Sequence, residues 1–402
     1  MKLLPSLLAA AVLAALSPSA RADITIDQFD FFGGSEVTLE GLIQTDFDKY
    51  NRDVANLNAS VKDGTDSDSE FRRAEFTLKG KGTKFDWAVG YDPKAKKFLD
   101  TNVKFKLGAY TSITAGQFKQ PNSMEELSST KNNDFVAKSM ITNTFGVSRR
   151  LGVAFATGAD NWTFTGSAFG DELTRGLAHG NGFGARGTWA PIKNGDNTLH
   201  FGLSYVDYQA EDPLGDGRTR IRAKPDADLS GARLIDTGQF TDGERIRTAG
   251  VEGLWLHGPF KLQGEYMSSR TGRKLHQDFT GDGWYVQGVW NITGEKFGYK
   301  SGGPTTPLPD EPASGMWQLG VRYDSMDLND GRLLAGVPFP VVDGVLGGKE
   351  HNLTVGVNYY WHSNFKLMLN YVKVNSERYN TALHAFVKDD PSIIEARAQF
   401  YF

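Results

Sequence analysis

The chain ends in Ile394-Glu-Ala-Arg-Ala-Gln-Phe-Tyr-Phe402, nine residues in which apolar side chains alternate with polar ones or tyrosine. Successive side chains of an extended strand point to opposite faces, so one face of this segment is apolar and the other carries Glu395, Arg397 and Gln399. Such a strand suits a sheet with lipid on one side and water on the other, and a terminal aromatic residue is common in the last strand of outer-membrane barrels. The segment therefore predicts the closing strand of a transmembrane barrel.

Similar alternation recurs along the chain between turns rich in glycine and polar residues, whereas helical periodicity is nearly absent. The predicted strands lie near residues 37–46, 73–79, 84–91, 103–107, 112–119, 150–157, 162–169, 183–190, 198–208, 245–256, 259–268, 283–293, 315–326, 350–361, 364–374 and 392–402. Bacterial barrels require an even strand number. We therefore predict an all-β fold, a transmembrane antiparallel β-barrel of about sixteen strands with inward-folded loops.

The first 22 residues have the features of a secretory signal peptide. Lys2 precedes an apolar run that ends near Leu16, and Ala20-Arg21-Ala22 fits the small-residue cleavage rule. We predict a cleaved segment 1–22 and a barrel domain 23–402. The chain has no cysteine, so an exported protein of this sequence depends on its sheet for stability and not on disulfides.

The overall charge is mildly acidic. Removal of residues 1–22 takes away Lys2 and Arg21 and moves the formal net charge from −4 to −6. This balance argues against non-specific nucleic-acid binding, but it says little about a pore, where an ion senses the charge of the lumen.

The connections alternate in length, as short periplasmic turns and longer external loops do in bacterial barrels. The predicted long connections are 92–101, 120–149, 170–181, 209–243, 327–349 and 375–391. One connection breaks the alternation, because 294–314 is long and proline-rich but falls among the short turns. It is either a periplasmic excursion or the sign of a miscounted strand.

Two long connections are candidates for narrowing a pore. Segment 120–149 contains Phe135, Met140, Ile141 and Phe145, too many apolar groups for a purely solvated loop, so we predict that it folds inward. Segment 209–243 contains Gly217-Arg-Thr-Arg-Ile-Arg-Ala-Lys224, with a cation at every second residue.

In an extended backbone, Arg218, Arg220, Arg222 and Lys224 point the same way and form a row of cations, which we call the arginine rack. Guanidinium groups present planar sets of donors that suit phosphate and carboxylate oxygens. Such a row could pass an anion from one side chain to the next. A solvated basic loop is the alternative.

Several strings resemble the phosphate-selective porin O and P family, in family order and over most of the chain. They are GQFKQPNSMEELSSTK (116–131), RTRIRAKPDADLSGARLIDTG (218–238), GPFKLQGEYM (258–267), MWQLGVRYDSMDLNDG (316–331), FKLMLNYVKV (365–374) and EARAQFYF (395–402). The resemblance implies a homotrimer of sixteen-stranded barrels in a Gram-negative outer membrane, embedded in its lipid. For the best-known members it also implies selective uptake of phosphate or pyrophosphate.

The resemblance also implies roles for particular residues. Arg218, Arg220 and Arg222 match the family's arginine ladder, Arg72 and Arg73 match a pair at the start of the second strand, and Lys119 matches a lysine of the central constriction. Arg73 could equally form a wall ion pair with Glu75. Arg149, Arg150 and Arg186 are weaker candidates for lining the pore, and Lys131 and Lys138 in segment 120–149 are weaker still. Inward acids such as Glu40, Asp46 and Asp86 would oppose anions.

Other chemistry has little support in the sequence. Gly182 to Gly187 satisfies G-x-G-x-x-G formally, but no strand–turn–helix context surrounds it. The seven histidines form no metal motif, and no convincing nucleophile–base pair is present. We therefore expect no cofactor, no metal and no catalysis.

The expected function is passive transport of inorganic phosphate or related anions through an outer-membrane porin. The alternatives are a weakly selective anion porin, an outer-membrane barrel enzyme, and an adhesin or structural barrel with a plugged lumen.

Overall fold

The computed structural model describes residues 24–29, 35–58, 65–174, 179–210 and 217–402, so the predicted signal peptide 1–22 lies outside the described residues. The strands are β1 (Ile24–Phe29), β2 (Ser35–Asn51), β3 (Ser67–Lys81), β4 (Phe85–Asp92), β5 (Lys97–Lys106), β6 (Ser112–Lys119), β7 (Arg149–Ala159), β8 (Trp162–Phe169), β9 (Gly182–Asn194), β10 (Asn197–Gln209), β11 (Arg222–Ala223), β12 (Ile235–Asp236), β13 (Gly243–His257), β14 (Phe260–Arg273), β15 (Phe279–Asn291), β16 (Gly298–Lys300), β17 (Gly303–Thr305), β18 (Met316–Leu334), β19 (Val341–Trp361), β20 (Phe365–Asn380), β21 (Ala385–Asp389) and β22 (Ser392–Tyr401).

Sixteen of these strands close into an antiparallel barrel, which confirms the predicted fold class. The barrel strands are β2 to β10, β13 to β15, β18 to β20, and β22. Pairing of β2 with β22, for example Asp46 opposite Arg397, closes the sheet. Strand β1 pairs with β2 beyond the end of β22. Strand β21 pairs with β20 beyond the part of β20 that pairs with β22.

The outer surface of the barrel is apolar and the inner surface is polar. On β22, Ile394 is 44% exposed whereas Glu395 and Arg397 are buried inside. Aromatic side chains form a belt near each end of the apolar band, as at membrane interfaces. Phe260 stacks on Trp290 in one belt, and Trp284 lies beside Tyr323 in the other. Within the described ranges, no helix is long and apolar enough to cross a membrane.

Segment 294–314 is a genuine connection and not a miscounted strand. It joins β15 to β18 at the end with the short turns, and its hairpin β16–β17 folds back into the lumen. Tyr299 hydrogen-bonds through its hydroxyl to Nδ1 of His200 on the wall at 2.7 Å, and Phe297 packs against Leu254 and Val289. This hairpin, the lumen hairpin below, fills part of the barrel from the periplasmic end.

Segment 120–149 also lies inside the barrel. Its two short helices, Met124–Leu127 and Met140–Phe145, are capped by Ser123 and Ser139, whose side chains accept hydrogen bonds from backbone N–H groups. The run between them contains a 3-10 helix at Thr130–Asn132. Its backbone carbonyl oxygens accept hydrogen bonds from side chains of the wall, which satisfies these buried backbone groups. These wall donors are Arg322, Asn358, Lys366, Arg397 and Gln399.

Residues 217–243 fold into the lumen above the second of those helices. The strand pair β11–β12 and the bridge between Thr219 and Phe240 make a narrow hairpin. Its apolar residues Ile221 and Ala223 pack with Met140, Ile141 and the barrel wall in one buried cluster. The two inserted loops therefore support each other.

Three predicted loops are shorter than expected, because their ends belong to strands. Residues 327–349 lie largely in β18 and β19, which are joined by residues 335–340, and residues 375–391 lie largely in β20 and β21, which are joined by residues 381–384. Residues 92–101 belong largely to β4 and β5, which are joined by only residues 93–96. The pairing of Val89 with Thr101 and of Tyr91 with Phe98 leaves one extra residue on β5, a β-bulge. The bulge breaks the alternation and hides the first part of β5, before residue 103, from the sequence pattern.

Candidate functional site

Two adjoining cavities lie in the described part of the lumen beside β3, β5, β6 and β7. The external cavity measures about 200 Å³ and the periplasmic cavity about 240 Å³. They share Lys119, Thr130 and Arg149, which therefore lie where the two cavities meet. We call these three residues the neck.

The lining of the external cavity is rich in cationic side chains. Its charged lining residues are Arg72, Arg73, Lys97, Lys119, Lys138, Arg149 and Arg397 against Glu126 and Asp228. The periplasmic cavity is closer to balance, with Lys79, Lys119, Lys131 and Arg149 against Glu40, Glu75 and Asp100. The electrostatic potential is therefore expected to be more positive on the external side of the neck than on the periplasmic side.

Lys119 ends strand β6 and reaches under the first short helix of the inserted loop. Its Nζ donates to the carbonyl oxygens of Glu126 and Ser128 at 2.6 and 2.8 Å. Two of the three ammonium N–H groups are thus used to hold the helix end, and the third remains available for a solute. Lys119 therefore both positions the loop and places a charge in the neck.

Arg149 faces Lys119 across the strand pair β6–β7. Its guanidinium forms a two-point pair with Asp100, with Nε and one terminal nitrogen each 3.1 Å from a carboxylate oxygen. This pair fixes the plane of the guanidinium while the side chain stays 17% exposed to the cavities. Arg149 was not among the best candidates from the sequence.

The adjacent Arg150, which the sequence ranked equally with Arg149, points away from both cavities. It is buried against Phe169 and Tyr208, and it donates to the carbonyl oxygens of Gly170 and His179. Consecutive residues of a strand point to different sides, so only one of these two neighbouring arginines reaches the neck.

Arg72 and Arg73 both line the external cavity, although they are consecutive. The reason is a β-bulge: Gln44 pairs with Arg73 and Thr45 pairs with Phe71, which leaves Arg72 as the extra residue. Arg73 also pairs with Glu75, with Nη1 2.9 Å from Oε1. Arg73 therefore lines the cavity and forms an ion pair with the wall at the same time.

Lys138 and Glu126 form an ion pair at 2.6 Å on the edge of the external cavity. Burial alone would raise the pKa of Glu126, but the ammonium groups of Lys138 and Lys119 outweigh it and lower that pKa to about 2. Glu126 is thus a permanent negative charge in the inserted loop at neutral pH.

The arginine rack has the alternation that its sequence indicates. Arg218, Arg220 and Arg222 are exposed and Lys224 is half-buried, whereas Ile221 and Ala223 between them are buried. The cations thus share one side of the segment, with neighbours about 6.6 Å apart along the chain.

The members of the rack differ in their partners. Arg220 binds Asp236 with its Nε 2.8 Å from Oδ1. Burial would raise the pKa of Asp236, but the hydrogen bond from Arg220 keeps it below its ordinary value. Arg222 contributes only its backbone to the pairing with Asp236. Arg220 is therefore partly neutralised within the loop, which the sequence pattern did not indicate.

Asp228 connects the rack to the external cavity. Lys224 donates through Nζ to the Asp228 carbonyl oxygen, and the carboxylate lies 3.3 Å from Arg72 and 3.7 Å from Arg397. Burial would raise the pKa of Asp228, yet the surrounding cations, Arg72 first among them, lower it to about 2. This acid holds the lower end of the rack against the wall.

Arg186, the remaining candidate, belongs to the filled part of the lumen. It forms a two-point pair with Glu252 and donates to the Gly302 carbonyl oxygen of the lumen hairpin at 2.7 Å. His200 binds the same carboxylate at 2.8 Å. Arg186 therefore fastens the hairpin to the wall and lines neither cavity.

Sequence reasoning missed Lys97 and ranked Arg149 and Lys138 low, although all three line the external cavity. Lys97 fell in a segment that was predicted as a loop, and Lys138 follows no strand pattern. Among the described residues, no group of three or more histidine or acidic side chains is arranged to hold a metal ion.

Comparison with known proteins gives a family match. A sequence model described as phosphate-selective porin O and P matches residues 37–402. Porin O of Pseudomonas aeruginosa is 29% identical over 216 residues, which cover 49% of this chain and 48% of that protein. An uncharacterized protein of Caulobacter vibrioides is 28% identical over 290 residues, which cover 67% and 55%. The chain thus spans about half the length of these curated relatives.

Solved structures share the fold at low sequence identity. The anion-selective porin from Comamonas acidovorans has a TM-score of 0.55 at 13% identity and covers 92% of this chain and 100% of its own. The outer-membrane channel DcaP of Acinetobacter baumannii has a TM-score of 0.53 at 12% identity, with coverages of 94% and 100%. OmpT, an outer-membrane protein of Vibrio cholerae, has a TM-score of 0.56 at 11% identity, with coverages of 92% and 98%. These likenesses concern the fold alone.

Proposed function

This chain belongs to the phosphate-selective porin O and P family and is a β-barrel of the Gram-negative outer membrane, and on that basis we propose that it forms a passive anion channel for inorganic phosphate or pyrophosphate. The proposed activity is transport without catalysis.

The observation that carries the proposal is the charge of the external cavity, where seven cationic side chains face two carboxylates. In a narrow lumen with low-dielectric walls, such an excess raises the local concentration of anions and repels cations. Three of these cations, Arg73, Arg149 and Arg397, are paired with Glu75, Asp100 and Asp46, which lie behind the lining, so the net excess is smaller than the lining residues alone indicate but remains positive.

The proposed route begins at the rack and descends to the external cavity. An anion passes from Arg218, Arg220 and Arg222 to Lys224 and then to Arg72. It crosses the neck between Lys119 and Arg149 and leaves along the periplasmic cavity. Conduction needs several weak sites, because a single tight site would block the pore. The internal pairs of Arg220, Arg149 and Lys119 suit this need, since each already satisfies part of its hydrogen-bonding capacity.

Preference for phosphate over chloride would arise at the neck. The hydroxyl-bearing residues Ser129 and Thr130 line the periplasmic cavity next to Lys119 and Arg149. A tetrahedral oxyanion can accept several hydrogen bonds at once from such donors, whereas chloride gains less from directed donors. The neck therefore offers phosphate a closer substitute for its hydration shell.

A weakly selective anion porin is the second candidate. The periplasmic cavity supports it, because Glu40, Glu75 and Asp100 nearly balance the cations there. Carboxylates repel a divalent phosphate more than a chloride, so this half of the path would reduce phosphate preference.

We also propose a homotrimeric assembly. It is supported by family membership and by the trimer form of OmpT from Vibrio cholerae, a structure with a TM-score of 0.54 to this chain at 12% identity. Chemical cross-linking of the purified protein followed by denaturing electrophoresis tests it.

Phosphate block in planar bilayers separates the two channel proposals. Chloride current through the purified protein is recorded while phosphate is added in the millimolar range. Concentration-dependent block supports a phosphate site at the neck. Chloride-selective current that millimolar phosphate leaves unchanged supports the weakly selective porin, and cation-selective current contradicts both.

A further inference from the structure

Three arginines lie on the outside of the barrel, away from the lumen. Arg245 and Arg247 are on β13 and Arg270 is on β14, all near the external ends of their strands. We call them the rim arginines. None of them lines either cavity, so the transport proposal leaves them unexplained.

Their outward direction follows from the alternation of exposure. On β13, Val251 is exposed and Thr248 is buried inside, and Arg247 shares the outward parity of Val251. On β14, Tyr266 and Arg270 are exposed whereas Ser269 is buried. The rim arginines therefore continue the face that carries the apolar side chains.

Their height corresponds to the polar zone of the membrane. Tyr266 belongs to the external aromatic belt, beside Trp284 on the next strand. Arg270 follows Tyr266 by four residues, which is about 13 Å along a tilted strand. Arg247 lies directly opposite Arg270 in the register. Arginines just beyond an aromatic belt reach the level of lipid headgroups.

The local acids do not balance the rim arginines. Asp207 lies 2.6 Å from Arg245 and 3.4 Å from Arg247, and Asp278 lies 2.8 Å from Arg270. Three guanidinium groups thus share two carboxylates. Arg247 and Arg270 still expose 42% and 59% of their side chains.

Two like charges directly opposite each other destabilise a sheet unless an anion lies between them. Neighbouring strands lie about 5 Å apart, so one phosphate group can contact both guanidinium groups of a cross-strand arginine pair. Elsewhere on the described rim the arrangement differs. Lys349, for example, is a single cation 2.8 Å from Asp327.

We propose that Arg247 and Arg270, with Arg245 beside them, bind a phosphate group carried by an outer-leaflet lipid. The headgroup phosphate lies between the two guanidinium groups, and the acyl chains descend over the apolar face below Tyr266. The site anchors lipid to one side of the barrel and is independent of anion passage through the lumen.

The test uses the purified full-length protein in detergent, stripped of bound lipid. Binding of diphosphorylated lipid A is measured by native mass spectrometry for the wild type and for Arg247→Gln/Arg270→Gln. Dephosphorylated lipid A and inorganic phosphate as a competitor distinguish the lipid phosphate from the acyl chains and from free phosphate. The control is Arg332→Gln/Lys388→Gln, which removes two exposed cations from external hairpins.

We expect the rim variant to bind lipid A about thirtyfold more weakly, since each arginine near a membrane surface contributes about one factor of five. The control should bind like the wild type, and the reversal potential of both variants should be unchanged. If the double variant folds poorly, Arg270→Gln alone should give a loss of about fivefold.

Four outcomes contradict the proposal, and the first three concern lipid binding. They are unchanged lipid A binding in the rim variant, equal binding of the dephosphorylated lipid by the wild type, and displacement of lipid A by millimolar inorganic phosphate. Loss of subunit assembly with unchanged lipid binding also contradicts it and would assign the rim arginines to a protein interface.

Discussion

The lumen has two halves that use the same residue types in different ways. In the open half, Arg149 pairs with Asp100 yet borders both cavities. In the filled half, Arg186 forms an equally close pair with Glu252, but the lumen hairpin covers it and it is 7% exposed. Both arginines are in barrel strands and both have a carboxylate partner. What separates an arginine that borders the cavities from one that is buried in the wall is therefore the segment that packs over it.

The largest expected effect concerns the neck. Lys119→Glu replaces the ammonium group shared by both cavities with a carboxylate, so we expect anion preference to be lost or reversed. Reversal potentials in a potassium chloride gradient measure this. Lys296→Glu makes the same change of charge at an exposed periplasmic turn, where Lys296 pairs with Asp196, and should leave the preference intact. If Lys119→Glu kept the anion preference of the wild type, the neck would not determine ion selectivity.

The filled half should respond through stability. Arg186→Met leaves the Glu252 carboxylate buried with only His200 beside it, and breaking such a pair costs about 3 kcal/mol or more. We expect unfolding at a lower denaturant concentration, measured by the mobility shift of the folded barrel, with unchanged ion preference. Arg186→Met/Glu252→Gln should recover part of the loss. A change of ion preference without a loss of stability would contradict the division into two halves.

The rack should act mainly on the rate of anion entry. Arg222→Gln removes one exposed charge near the mouth, so we expect conductance to fall about twofold at low salt and little at 1 M salt, where screening is nearly complete. Arg332→Gln, on an external hairpin paired with Asp343, is the matched control. An effect of equal size at both salt concentrations would point to an altered loop and not to steering.

The smallest expected effect concerns acidity. The pKa of Glu126 is lowered to about 2, so its contribution to stability is present above the ordinary pKa of glutamate and is lost only as pH falls through about 2. Between pH 7 and pH 4 this residue should not change anion preference. Glu126→Gln should increase that preference modestly at both pH values. If the anion preference of the wild type rose between pH 7 and pH 4 while that of Glu126→Gln did not, Glu126 would titrate in this range.

The sequence predicted much of the fold because alternation and turn length are local properties. It placed all sixteen barrel strands and identified 294–314 as the connection that breaks the alternation. It also gave the common direction of Arg218, Arg220 and Arg222, since the segment is extended.

The features of the candidate site that the sequence did not predict depend on long-range packing or on a single extra residue in a strand. The bulge that turns both Arg72 and Arg73 inward shows in the pairing with β2 and not in the local pattern. The choice of Arg149 over Arg150, the pairing of Arg220 with Asp236 and the covering of Arg186 by Gly302 depend on segments distant in sequence. Alternation gives the face of a side chain, but it does not give what lies over that face.

The central claim is that the open half of the lumen selects anions. The most direct test is the zero-current potential of the wild-type protein in a planar bilayer that separates two potassium chloride concentrations. We predict a potential whose sign shows chloride crossing more readily than potassium. A potential of the opposite sign, or one no larger than the value for free diffusion of the two ions, would contradict the account.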